Sequence, residues 1–210
     1  MKKQGTLVVV SGFAGTGKGT VMKELLARYD SYALSISATT RNPRPGEADG
    51  REYFFKTKEE FEQMIAQDAF VEYACYVGNY YGTPKKYVED QLADGKDVIL
   101  EIEIQGALKV KKQFPDALLL FIAPPSADVL KDRLVGRGTE TEDVIAKRLA
   151  RAVEESEGIE NYDYLVVNDN LEECVENVHH MIQSAGWKMS RRESDVERLR
   201  KEISKFSKGE

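Results

Sequence analysis

Gly12-Phe13-Ala14-Gly15-Thr16-Gly17-Lys18-Gly19-Thr20 puts four glycines and a lysine into nine residues. Glycines at this density let a backbone turn so tightly that several N–H groups converge on one anion. Thr6–Ser11, just ahead, is a short apolar, Val-rich run that reads as a buried parallel strand. Gly19–Tyr29, just behind, reads as a helix with Val21, Met22, Leu25 and Leu26 on its inner face. A helix N-terminus adds partial positive charge at the same point, and Lys18 can reach the outer phosphates of a nucleoside triphosphate. Strand, glycine-rich loop and helix in this order are the context that makes a phosphate loop specific. Gly12, Phe13, Ala14, Gly15, Thr16, Gly17, Lys18, Gly19 and Thr20 are therefore assigned to ATP. One departure stands out. The hydroxyl that usually follows the lysine is replaced by Gly19, and Thr20 comes one place later. Thr20 is left to contact a phosphate or a water of Mg, and no side chain is assigned as a direct Mg ligand.

Outward from the loop the rhythm repeats. Val98–Ile104 and Ala117–Ile122 are apolar, strand-like runs with the helical Gln105–Gln113 between them, and Asp163–Val167 precedes a helix over Leu171–Ala185. Strands alternating with helices predict an α/β, three-layer core: a parallel sheet with helices on both faces. Two segments break the alternation. Ser37–Pro84 is rich in Tyr, Gly and charge, with β-like runs at Tyr53–Phe55 and Phe70–Tyr76 and a helix at Lys58–Gln67, which predicts a small α+β insertion. Ser126–Gly158 is charged and helical, holds Arg133, Arg137, Arg148 and Arg151, and predicts a helical lid. The expected division is a core over 1–36, 85–125 and 159–187, a lobe over 37–84, a lid over 126–158 and a helical tail over 188–210. In the tail Val196, Leu199, Ile203 and Phe206 form one apolar helix stripe. It reads as a terminal helix packed on its own domain or, alternatively, as a contact making a homo-oligomer.

Composition excludes several classes. The 210 residues carry 30 Lys and Arg against 36 Asp and Glu, a net charge of -6, so bulk nucleic acid is not an expected partner. Cys75 and Cys174 lie far apart without metal-ligand spacing and read as buried or partly buried free thiols. Met1-Lys2-Lys3 before Leu7–Val10 has too short an apolar run for a signal peptide, and nothing approaches the ~20 apolar residues of a membrane span. A cytoplasmic protein with no membrane partner is expected.

Ser35–Arg44 offers Arg41 and Arg44, three apart around Pro43, as two planar forks suited to a phosphate monoester. Tyr53 and Tyr81 stand in glycine-containing runs, and Glu72 interrupts the apolar Phe70-Val71-Glu72-Tyr73, either as a salt-bridge partner or as a ligand. Taken with SATTRNPRPGE, GREYFF, FVEYA, GNYYGTP, LEIEIQG, LFIAPPS, RLVGRGTE, KRL and VVND, in order, the chain resembles guanylate kinases from about Gly5 to Ala185. The resemblance implies a transferase, a kinase of purine metabolism that moves the γ-phosphate of ATP, with Mg, to GMP and also to dGMP. It implies Arg41, Arg44, Tyr53 and Tyr81 at the GMP phosphate, Ser37, Glu72 and Thr83 at guanine, and Glu103 near the acceptor ribose and the Mg shell. Arg133, Arg137 and Asn168 are implied at ATP, and Lys18, Arg41, Arg137 and Arg148 as the catalytic cations.

Glu101 and Glu103 stand where the family more often has Asp. The plain reading of Glu101 is a strand-end carboxylate paired with an arginine. That of Arg133, Arg137, Arg148 and Arg151 is a solvated helix face, and that of Asn168 a helix cap. Thr139 or Thr141 is expected to cap a helix whose first turn favours the acidic cluster Glu140, Glu142 and Asp143. His179 and His180 fall outside every motif and are expected to take surface or helix-packing roles rather than to carry phosphate. Two rivals bound the reading: a kinase of AMP or dTMP, since adenylate kinases share the GKGT ending, and a catalytically silent module that binds phosphorylated protein segments.

Overall fold

The computed structural model describes residues 4–76, 78–136 and 141–208. In chain order its elements are β1 (Leu7–Gly12), α1 (Lys18–Arg28), β2 (Tyr32–Leu34), β3 (Ala38–Thr39), β4 (Phe54–Phe55), α2 (Lys58–Ala66), β5 (Phe70–Tyr76), β6 (Asn79–Pro84) and α3 (Lys85–Ala93). There follow β7 (Asp97–Glu101), α4 (Ile104–Gln113), β8 (Leu118–Ala123), α5 (Ala127–Gly136), α6 (Glu142–Ser156), β9 (Tyr164–Val167), α7 (Leu171–Ala185) and α8 (Glu193–Ile203).

Five strands form one parallel sheet in the order β2-β7-β1-β8-β9. Its central strands are apolar on both faces because both are covered. Val8, Val10, Ile99, Leu120 and Ile122 pack against α1 through Val21, Met22 and Leu25, and against α7 through Val175, Val178 and Ile182. Leu7, Val9, Val98, Leu100 and Leu119 face the other way, onto Val88 of α3 and Ala107 and Val110 of α4. This is the three-layer α/β core that the alternation predicts. β9 lies at the edge, so Tyr164, Leu165 and Val167 are exposed and only Val166 is buried.

The second sheet, β4-β3-β6-β5, is mixed: β3 and β4 run parallel, and β6 is antiparallel to both β3 and β5. Its small core is aromatic, with Phe61 of α2 stacked between Phe70 at 4.4 Å and Tyr80 at 5.2 Å. A capping box starts α2: Thr57 Oγ1 accepts from the Glu60 backbone N–H at 3.1 Å, and the Thr57 N–H donates to Glu60 Oε2 at 2.8 Å. Val71 of β5 belongs to the core of the large sheet and ties the two sheets together.

Four elements carry no clear sequence signal. β2 and β3 are too short for a period, and α3 starts after Pro84 without a capping side chain. β6 carries the turn-forming residues Gly82 and Pro84, yet pairs along its length with β5. A Cβ at Gly82 would come within 2.9 Å of Phe70 and Tyr73, so the glycine serves strand packing rather than a turn. The expected strand Val98–Ile104 ends at Glu101, and Ile104 already begins α4. Cys174 is buried as expected, whereas Cys75 is exposed on β5. His179 packs, with its ring stacked on Tyr29 at 3.7 Å and Nδ1 2.7 Å from the Tyr32 hydroxyl.

Candidate active site

The loop from β1 to α1 lies at the C-terminal ends of the parallel strands, where open α/β sheets bind their ligands. Gly17 is the N-cap of α1 with φ +83°, and no side chain caps the helix, so its first N–H groups remain directed at the loop. A side chain at Gly17 would meet the Asn168 amide nitrogen at 2.7 Å. That amide donates to the Thr16 carbonyl at 2.7 Å, and Arg133 donates to the carbonyls of Asn168 at 2.9 Å and Thr16 at 3.4 Å. Asn168 is 5% exposed. Asn168 and Arg133, expected at ATP, thus brace the loop from behind. The capping alternative for Asn168 belongs instead to Asn170, whose side chain accepts from the Glu173 N–H at 3.2 Å. Phe13 packs edge-on against Phe121, 5.0 Å between ring centres, while Ala14, Gly19 and Thr20 are exposed.

Lys18 Nζ lies 3.7 Å from Glu101 Oε1, at the end of the neighbouring strand β7. The strand-end carboxylate is paired as its plain reading expects, but with the loop lysine rather than an arginine. Glu103 is the N-cap residue of α4 without a capping bond, and it forms an ion pair with Arg151 of α6. Arg151 also donates to Glu155 at 3.0 Å. Among the described residues no group of three or more His, Cys, Asp or Glu side chains is placed to hold a metal ion.

The small sheet gathers the other predicted ligands. Thr83, fully buried on β6, donates its hydroxyl to Glu72 Oε1 on β5 at 2.9 Å. Burial pushes the Glu72 carboxyl above the ordinary carboxylate range, opposed by the Thr83 hydrogen bond and by the charge of Lys109. Its other oxygen faces α4 at Gly106, where a Cβ would sit 3.5 Å away. Ser37 is half-buried just before β3, and its carbonyl accepts from the Phe54 N–H at 2.9 Å. The Arg41 guanidinium lies over the rings of Tyr53, 5.4 Å, and Phe55, 5.9 Å, and Tyr53 and Tyr81 meet edge-on at 6.1 Å. Arg44 is exposed at the turn beyond. Arg148 is half-buried on α6, and Arg137 lies outside the described residues. At the start of α6, Thr141 is the N-cap through its carbonyl rather than its hydroxyl, with Glu142 and Asp143 in the first turn; Thr139 and Glu140 lie outside the described residues. Sequence reasoning passed over Glu47, Lys109 and the pairing of Arg151. The signal for Glu47 is its place, one residue beyond Gly46 and three beyond Arg44, where a turn returns its carboxylate to Arg41.

A parallel α/β core with a phosphate loop, a small mixed sheet carrying clustered cations and aromatics, and two further helices that bring in Arg133, Arg148 and Arg151 define a P-loop phosphotransferase. A family model described as guanylate kinase matches residues 4–185. The chain is 55% identical to a guanylate kinase of Bacillus anthracis over 86% of its own length and 88% of the relative's. It is 51% identical to that of Bacillus subtilis (strain 168), over 91% and 94%. A crystal structure of guanylate kinase from Anaplasma phagocytophilum superposes with a TM-score of 0.71 at 31% identity, covering 91% of each chain. The chain belongs to the guanylate kinase family.

Proposed function

We propose that ATP sits on the Gly12–Thr20 loop, that GMP sits on the small sheet, and that the γ-phosphate passes directly in line between them. The overall reaction, ATP-dependent phosphorylation of GMP to GDP, is that of the family to which the chain belongs. The observation that carries the acceptor assignment is Glu72, a carboxylate whose burial outweighs the hydrogen bonds it receives from the Thr83 hydroxyl and backbone N–H. Guanine offers N1–H and N2–H on one edge and meets that need. Adenine cannot, and a site built on such bonds rejects the analogue by ~10⁴-fold. Ser37 and Thr83 serve O6 and N2, while Arg41, Arg44, Tyr53 and Tyr81 hold the phosphate and Glu103 the ribose. Since one ribose hydroxyl is a modest difference, dGMP is accepted too.

The donor set suits a cation delivered with its nucleotide. Thr20 is exposed, Glu101 faces Lys18 and Glu103 faces Arg151, so Thr20 and Glu103 would stand near the shell of Mg while phosphate oxygens and water would supply most of its ligands. Bound in this way, Mg neutralises phosphate charge. Lys18, held by Glu101 beside the loop, neutralises the outer phosphates. A GMP phosphate oxygen, placed by Arg41, attacks the γ-phosphorus as its bond to the ADP oxygen breaks. No protein nucleophile takes part, and catalysis rests on positioning and charge. Residues 126–158 act as a lid whose Arg137 and Arg148 complete the cationic ring and exclude water. The tail contacts a second copy of the chain, and the protein works in the cytoplasm.

A coupled assay of ADP formation with GMP, AMP, dTMP and CMP tests the assignment. Turnover with GMP is expected, and Glu72→Gln is expected to lower kcat/KM for GMP by at least ~100-fold, because one guanine donor then meets an amide N–H. An unchanged GMP-to-AMP ratio in that variant would remove Glu72 as the reader. GMP binding without turnover in the parent would favour the silent module.

A further inference from the structure

The turn that joins Arg41 to Arg44 ends on a carboxylate that every role above leaves unused. Both oxygens of Glu47 accept from Nη2 of Arg41, at 3.0 and 2.9 Å, and Oε2 also accepts from the backbone N–H of Arg44 at 2.7 Å. The Glu47 N–H donates to the Arg44 carbonyl at 3.0 Å, closing the turn. Arg41 Nη1 donates to the Asn42 carbonyl at 2.6 Å. The Glu47 carboxyl is held below its ordinary range, first by the Arg44 N–H and then by Arg41. With Tyr53 and Phe55 beneath the guanidinium, Arg41 is fixed from below and from two sides.

We infer that Glu47 is a positioning residue of the acceptor-phosphate site: it orients Arg41 and shapes the 41–47 turn before the nucleotide arrives. The inference rests on the reading of Arg41 as a GMP-phosphate ligand. A free arginine side chain is rotamer-rich, and fixing it in advance removes that ordering cost from binding. Five N–H donors are enough for a carboxylate, a carbonyl and a phosphate at once, so Glu47 keeps its hold when the phosphate enters. The neighbouring carboxylates support the same loop. Glu52 accepts from the Ala48 N–H at 2.7 Å and Asp49 from the Phe55 N–H at 2.7 Å, so the turn is tied to β4, which Tyr53 immediately precedes.

The test is steady-state kinetics of Glu47→Ala, Glu47→Gln and Arg41→Ala, with guanosine as a competitive inhibitor that carries the base without the phosphate. Glu47→Ala is expected to raise KM for GMP on the order of 10-fold by misplacing Arg41, with the KM for ATP and the inhibition constant of guanosine unchanged. Glu47→Gln keeps one oxygen, which can still accept from the Arg44 N–H and from Arg41 as Oε2 does, so it should recover part of the loss. In the Arg41→Ala background, Glu47→Ala should add little. A collapsed lobe would weaken guanosine as well, and that outcome would overturn a positioning role. A lowered KM for GMP in Glu47→Ala would overturn it too, making the carboxylate a competitor of the phosphate. If Arg41→Ala raises the GMP KM and Glu47→Ala does not, the inference falls alone. If Arg41→Ala leaves it unchanged, the reading of Arg41 falls and takes the inference with it.

Discussion

At the scale of the residue, Glu72 sets specificity against stability. Its carboxyl pKa is raised on folding because burial penalises the charge. A group of this kind binds its proton more tightly when folded, so its stabilising contribution is complete below about pH 4 and is lost as pH rises through the raised value. Above that raised value the ligand-free protein carries an ionised carboxylate in a place that favours the neutral form. Glu72→Gln is expected to melt at a higher temperature than the parent at pH 7, with the advantage gone at pH 4. An equal difference at both pH values would show that titration is not its source. The glycines of the phosphate loop divide in a similar way. Gly17 has φ +83° and backs onto Asn168, whereas a Cβ at Gly19 meets nothing within 4 Å. Gly17→Ala is expected to abolish tight ATP binding. Gly19→Ser should fold normally and gain about 0.4 kcal/mol of helix stability. Thermal melting with and without ATP separates the two, and a destabilised Gly19→Ser would contradict the open space beside it.

At the scale of the element, the phosphate loop is shaped from outside itself. Its glycine content, Val-rich strand and following helix were legible because the period changes sharply at Gly12. The brace was not, because Asn168 and Arg133 lie 152 and 117 residues from Thr16, and only the closing of the sheet by β8 and β9 brings them to its carbonyl. Asn168→Ala leaves the Thr16 carbonyl with the longer Arg133 contact alone, and is expected to cost about 1–3 kcal/mol of stability. The KM for ATP should rise while that for GMP stays constant; a change confined to GMP would place Asn168 elsewhere in the mechanism. The small sheet follows the same logic. Tyr53–Phe55 and Phe70–Tyr76 announce strands by composition, but β3 is two residues long and exists through its pairing with β4 and β6. The proposed guanine-reading geometry depends on those pairings, since Glu72 meets Thr83 across the β5–β6 ladder. Residue types were therefore readable from the sequence, while distances such as the Lys18–Glu101 contact needed the fold.

At the scale of the whole molecule, an acidic chain of net charge -6 must receive two polyanions. It keeps Lys18 and Arg41 close to its own carboxylates Glu101 and Glu47, and it pairs Arg151, which has no assigned ligand, with Glu103. The last pair links the start of α4 to α6 and is solvent-exposed, so it is worth little and separates cheaply when α6 moves. The tail has the opposite character. From Trp187 onward it carries eight Lys and Arg against five Asp and Glu, and Arg191 anchors its start on the Gly5 carbonyl at 2.5 Å. Of the apolar stripe only Val196 is half-buried. Beyond it Leu199, Ile203 and Phe206 are 48, 62 and 81% exposed. Packing on its own domain therefore does not account for the stripe. A tail with an excess of Lys and Arg and an apolar helix face complements the acidic remainder of another copy, which is the occupant we assign to it. Light scattering of the full chain at micromolar concentration is expected to give a multiple of the monomer mass, and Leu199→Glu with Ile203→Glu to reduce it to the monomer. These positions lie far along the sequence from the nucleotide-binding residues and face solvent, so the double variant should melt as the parent monomer does. A parent chain that is already monomeric would leave the stripe without a partner in this protein and remove the second copy from the account.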